Sequence, residues 1–165
     1  MKRLFAVTLL ALCLAPGVAF AKTYPVPDED PIATVSLPKA WDTKPYDGGV
    51  ESTSEDGLIY VAVESVKAAD VKTATTEGIE WFAKQGVDID PDSMKTKDIK
   101  INDLSAFDLE FTGKDKDGPA NISLTLVATN AKGKFLLLYY WGSAAGEKAN
   151  SDDLAAITAS IQATK

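Results

Sequence analysis

Ser36-Leu37-Pro38-Lys39 carries the S-x-x-K spacing of serine acyl enzymes, in which one helical turn sets the lysine beside the serine. Pro38 forbids that turn, because its ring removes a backbone donor and clashes inside a helix. No K-T-G string follows to complete the set. Gly142-Ser143-Ala144-Ala145-Gly146 follows a strand-like run, as a nucleophile elbow does, but its glycines are wrongly spaced and no base is at hand. Asp88, Asp90 and Asp92 alternate like the first ligands of a calcium loop. Counting from Asp88, the sixth position is Ser93 instead of glycine and the twelfth is Ile99 instead of glutamate. A weak calcium site and a solvated turn are the two readings of these aspartates.

Catalytic and ligating chemistry is further limited by what the first residues take with them. Lys2 and Arg3 precede an uncharged apolar run over residues 4–14. Pro16 and Gly17 break the run, and Ala19-Phe20-Ala21 is a small-x-small cleavage site. This layout predicts a cleavable signal peptide over residues 1–21 and export to the periplasm. Cys13 lies inside the apolar run with Leu12 before it, a poor lipobox, so cleavage after Ala21 is expected over lipidation. The chain has no histidine, and Cys13 and Arg3 are its sole cysteine and arginine. The mature chain therefore lacks the pairs of Ser-His or Cys-His catalysis, the usual zinc ligands and the bidentate arginine clamp. No metal site and no cofactor are expected.

Removing 21 of the 165 residues leaves 144, one domain with room for a core without disulfides. The seventeen basic residues fall to fifteen against twenty-four acids, a net charge of −9. That field disfavours nucleic acid and anionic membranes and suits a basic protein partner. No apolar run after the signal is long enough to span a bilayer.

The elements follow from punctuation and periodicity. Residues 22–31, KTYPVPDEDP, read as an extended acidic, proline-rich leader, with the domain occupying 32–165. Residues 33–37 form a short strand, and 41–49 a loop with Pro45 and Asp47-Gly48-Gly49. Strands over 50–54 and 58–65 flank the turn Glu55-Asp56-Gly57. A helix over 73–85 shows Ile79, Phe82 and Ala83 on one face, weakened by Gly78 and capped by Gly86. Residues 88–91 turn the chain. The polar run 93–101 reads as an edge strand, followed by strands over 104–112 and 121–129. Residues 134–141 are apolar on both faces and should form a central strand. A last helix runs from Ser151, its N-cap, to about residue 163, with Leu154, Ile157 and Ile161 buried. Tight turns between strands and two interrupting helices give an α+β domain: an antiparallel sheet of about six to seven strands packed with two helices.

This pattern resembles the PsbP-like superfamily, whose bacterial periplasmic members include DcrB-like proteins. The resemblance rests on Val35-Ser36-Leu37-Pro38 with Trp41 behind it, and on Gly49-Val50-Glu51 leading to Asp56-Gly57 and Tyr60-Val61. The helix ending at Gly86 and Tyr140-Trp141-Gly142-Ser143 before the last helix also fit. It implies a PsbP-like fold and a non-enzymatic binding or assembly role, and carries over no functional residue.

The remaining clue is aromatic. Trp41 and Tyr46 stand in one loop with Asp42 and Asp47, a candidate binding surface whose acids would steer a basic partner. The competing reading makes Trp41 a lid over the end of the core. The sequence thus points to a monomeric or weakly associating exported domain that binds a protein partner or a small apolar ligand. An inhibitor of a basic toxin or hydrolase, and a hydrolase using carboxylates alone, are the alternatives.

Overall fold

The computed structural model describes residues 21–164, so the signal-peptide reading and Cys13 lie outside the described residues apart from Ala21. The first five strands are β1 (Ala21–Val26), β2 (Ala33–Pro38), β3 (Asp42–Tyr46), β4 (Gly49–Thr53) and β5 (Ile59–Lys67). A single 3-10 turn leads into helix α1 (Val71–Lys84). Then come β6 (Asp88–Ile101), β7 (Leu104–Asp115), β8 (Gly118–Ala128) and β9 (Lys134–Gly142). Two helices, α2 (Ala144–Ala149) and α3 (Ser151–Ser160), precede the short β10 (Gln162–Ala163).

The strands form two antiparallel sheets, a seven-stranded one in the order β3-β4-β5-β9-β8-β7-β6 and a three-stranded one in the order β1-β2-β10. The doubly apolar run lies in β9, the middle strand of the larger sheet, and its side chains divide as their alternation requires. Leu136, Leu138 and Tyr140 join the core under the second sheet and α3, with Val35, Leu37, Val61, Ile157 and Ile161. Phe135, Leu137, Tyr139 and Trp141 join the core under α1, with Phe82, Ile122 and Leu124.

Proline misleads the sequence reading in the same way twice. The extended leader expected over 22–31 is only half found: 21–26 are a strand paired with β2 from Ala21–Pro38 to Val26–Ala33, Val26 is fully buried, and residues 27–30 bend the chain. Residues 41–49 are no loop; β3 and β4 form a hairpin from Asp42–Thr53 to Tyr46–Gly49, closed by Asp47 and Gly48. Pro25 and Pro45 both sit on edge strands, where a missing donor faces away from the ladder. The polar 93–101 run is an edge as expected, within a longer β6 that also holds Pro91 and is irregular between Asp90 and Lys95.

The C-terminal helix is the third correction. Ser143 caps an unexpected short helix, its hydroxyl accepting from the Gly146 N–H at 3.1 Å. Asn150, not Ser151, occupies the start of α3. The helix ends at Ser160, and residues 162 and 163 instead add a strand to β2. Among the described residues three α-helices therefore stand where two were expected.

Helix α1 forms as predicted, but its buried stripe is rotated. Gly78 and Phe82 are buried with Val71 and Ala74 packed beside them, while Ala83 faces solvent. Gly78 is there for close approach: a Cβ would lie 2.9 Å from Tyr139 Cε1 and 3.3 Å from Leu124 Cδ2. The helix's Phe82 thereby settles among Tyr139 and Trp141, with ring centroids 6.0 and 5.8 Å apart.

Candidate functional site: an acidic, aromatic groove

Alternation in β5 sends Ile59, Val61 and Val63 into one core and puts Tyr60, Ala62 and Glu64 on the other face. Register brings their neighbours to the same face. Ala62 stands opposite Glu51 of β4 and Tyr139 of β9, and Glu51 opposite Lys44 of β3. Helix α1 overhangs this floor with Glu77, Glu80, Trp81 and Lys84 along one side, at helical spacing. Between floor and helix lies an open groove of about 640 Å³, bounded at the sheet edge by Lys44, Pro45 and Tyr46.

Hydrogen bonds fix its polar lining. Tyr46 donates its hydroxyl to Glu64 Oε2 at 3.3 Å, and Tyr139 donates to the other oxygen of the same carboxylate. Tyr60 donates to Glu51 Oε2 at 2.9 Å. Burial, reinforced by these glutamates, pushes all three phenols well above their ordinary range. They are protonated donors at neutral pH. The rings are held by their neighbours: Tyr60 stacks on Trp141 with centroids 4.3 Å apart, and Trp81 lies 5.0 Å from Tyr60 and 5.9 Å from Tyr139. The groove thus has stiff aromatic walls and oriented carboxylates.

The four residues singled out in the sequence do not converge. Trp41 is 5% exposed and belongs to the core on the opposite face, where its indole N–H donates to Asp153 Oδ2 at 3.1 Å. Of the two readings of Trp41, the exposed anchor is not what the structure has; the ring covers the core instead, because Trp41 and Tyr46 lie on opposite faces of β3 and its approach. Tyr46, 39% exposed, lines the groove. Asp42 is exposed beside Lys44 at 3.1 Å, and Asp47 is exposed in the hairpin turn. The residues missed are Glu51, Tyr60, Glu64, Glu77, Glu80, Trp81 and Tyr139. Their signal was the Tyr60-Ala62-Glu64 alternation, half of a lining that only register could complete.

Two carboxylates of the calcium-like run, those of Asp88 and Asp90, have other partners. Asp88 pairs with Lys114 at 3.2 Å, and the Asp92 N–H donates to Asp90 Oδ1 at 3.0 Å. Among the described residues no group of three acidic, histidine or cysteine side chains is arranged to hold a metal ion. Nor is any helix among them long and apolar enough to cross a membrane.

The two antiparallel sheets with helices on both sides of the larger one define a PsbP-like fold. Cyanobacterial PsbP (CyanoP) of Synechocystis sp. PCC 6803 superposes with a TM-score of 0.55 at 14% identity, over 94% of this chain and 99% of that one. LpqN of Mycobacterium tuberculosis, involved in cell envelope biogenesis, superposes with a TM-score of 0.53 at 15% identity, over 88% of this chain and 92% of that one. A protein of Bacteroides thetaiotaomicron matches with a TM-score of 0.55 at 13% identity over 87% of this chain, which spans about half (48%) of that longer one. No family profile matches the chain, and no curated protein matches it in sequence. At these identities the likeness is one of fold.

Proposed function

We propose that this chain is an exported, non-enzymatic binding or assembly protein of the cell envelope, of the DcrB-like kind, and that the groove under α1 receives its partner. The single observation that carries the reading is the groove itself. It is an open concavity walled by Trp81 and three tyrosines whose hydroxyls are all fixed on glutamates. Rigid aromatics beside positioned polar groups are what recognition sites use, because little side-chain freedom is lost on binding. Asp42 and Asp47 at the hairpin extend the negative field around it and steer a partner toward it. Export rests on the charged, apolar and small-x-small order of residues 1–21, and LpqN shows that the fold serves envelope biogenesis elsewhere.

The convergence of Glu51 and Glu64 on one groove is what a carboxylate-only hydrolase would require. In such an enzyme one carboxyl must offer a proton to the leaving group. Here both carboxylates accept hydroxyl hydrogens from tyrosines, an arrangement that favours holding a ligand over transferring a proton.

The test is site-specific photo-cross-linking in cells that export the chain, with the reactive side chain placed at Glu80 on the groove wall or at Asp28 in the β1–β2 connection. A discrete adduct from position 80 and none from position 28 is expected. Equal adducts from both, or none from position 80, overturn the groove as the binding site.

A further inference from the structure

We infer that the occupant of the groove is a lysine- or arginine-bearing segment of a protein partner, held through its side chains and not by strand addition; this rests on the groove being the binding site. The lining presents Glu51, Glu64, Glu77 and Glu80 against Lys44 and Lys84, so the cavity is negative. Each carboxylate offers about four acceptor positions. Tyr46 and Tyr139 use two on Glu64, and Tyr60 uses one on Glu51, which leaves acceptors open to an incoming ammonium or guanidinium. Aromatic walls add to this preference, since ring faces attract cations and the apolar stem of a basic side chain packs along them. An apolar ligand would instead cover glutamates without compensating them.

Two features favour a chain carrying several positive charges over a small free cation. Asp47, exposed in the hairpin turn next to Tyr46, adds negative charge beyond the cavity lining, while Asp42 is paired with Lys44. The chain as a whole carries a net charge of −7 before signal removal, so attraction to a polybasic partner is long-ranged. The manner of docking follows from Pro45. β3 is the free edge of the larger sheet on this side, and Pro45 contributes no N–H to that edge, so a partner strand would find its ladder interrupted. Recognition is left to side chains reaching over the edge.

The probe is a fluorescein-labelled decapeptide of alternating lysine and glycine, titrated with the purified chain by fluorescence anisotropy at about 0.15 M salt, where screening acts beyond about 8 Å. Glu77→Gln/Glu80→Gln changes two exposed groove residues, and Asp28→Asn/Glu29→Gln removes the same charge from the exposed β1–β2 connection. The groove pair is expected to weaken binding about tenfold and the distant pair less than about twofold, as local pairing and net charge respectively predict. Both helix glutamates are exposed, so thermal melting should be unchanged and a folding defect cannot mimic the loss. Equal weakening by both pairs shows bulk attraction and overturns the inference. A norleucine–glycine peptide that binds as well as the lysine peptide overturns the cationic occupant while leaving the groove reading intact. Failure of the lysine peptide to bind the unmodified chain, with a cross-linked adduct still formed at position 80, does the same. Failure of both removes the reading and the inference together.

Discussion

The two faces of the seven-stranded sheet are finished differently. One lies under a second sheet and α3, and its core is mainly aliphatic: Val35, Leu37, Ile157 and Ile161 pack on Val61, Val63 and Leu136, with Trp41 and Tyr140 among them. The other lies under one helix of 14 residues. Such a helix is about 21 Å long and 10–12 Å wide. Seven strands about 4.8 Å apart span about 29 Å, so one helix leaves part of the face uncovered whichever way it runs. Where cover ends the side chains change from valine and leucine to tyrosine, tryptophan and glutamate, with apolar bodies below and polar tips in water. The groove is therefore no hole in a finished core. It is the place where a sheet outgrows its lid, and amphipathic side chains make that edge stable.

The largest effects should be equal on the two faces. Leu136 and Leu137 are adjacent in the middle strand, 0% and 1% exposed, and point opposite ways. Leu136→Ala and Leu137→Ala should each destabilise by about 2–5 kcal/mol in urea unfolding. If Leu137→Ala costs under about 0.5 kcal/mol, the face under α1 is loose to its centre and not only at its edge.

Next come the two aromatics of the β3 region. Trp41→Phe removes indole area from the aliphatic core and the bond to Asp153, and should cost about 1–2 kcal/mol. Tyr46→Phe removes only a half-exposed bond to Glu64 and should stay within about 0.5 kcal/mol. Reversed magnitudes in parallel melts would put Trp41 on the surface and restore the sequence-based view of that loop.

That view shows which features the sequence carried. Apolar alternation placed β5, β7 and β8, and a run apolar on both faces marked β9 as central, because period two needs no partner to be read. Helix α1 was legible from its spacing, though the smallness of Gly78 hid its true buried stripe. Proline on β1 and β3 looked like a loop signal, and only the sheet order reveals an edge strand. The groove was legible in halves. Tyr60, Ala62 and Glu64 share a strand face, and Glu77, Glu80, Trp81 and Lys84 share a helix side. Their meeting depends on β5 pairing with β9 across 75 residues of sequence, as the Tyr139–Glu64 bond does, and no local pattern encodes that.

Gly78→Ala tests how firmly the lid is seated. Alanine should favour the helix by roughly 1 kcal/mol. Its Cβ would also press on Tyr139, whose hydroxyl is bound to Glu64, and overpacking typically costs about 1–3 kcal/mol. A small net loss is expected in thermal melts. A net gain of about 1 kcal/mol would show that the Tyr139 ring yields and that the groove wall is softer than its hydrogen bonds imply.

The smallest effect concerns a carboxylate on the aliphatic side. Asp108 of β7 is buried, where Thr125 donates to it at 2.6 Å and Lys97 stands 3.9 Å away, more closely engaged with Glu110. Burial raises its affinity for a proton, with Glu110 adding to the rise and Thr125 and Lys97 opposing it. The glutamates of the groove, by contrast, sit at the water's edge with tyrosine donors. A carboxyl raised in the folded state binds more protons there than in the unfolded chain, so its contribution to stability falls as pH rises through the folded value. Asp108→Asn keeps an oxygen for Thr125 and removes that liability. At pH 7 the variant should melt no lower than the parent, and its relative advantage should shrink as pH falls through the raised folded value toward about 4, below which the aspartate is protonated in both states and the difference no longer changes. A variant that melts lower at pH 7 and recovers in acid would mean that the Lys97 attraction outweighs burial. The covered face would then hold its charge as comfortably as the open one.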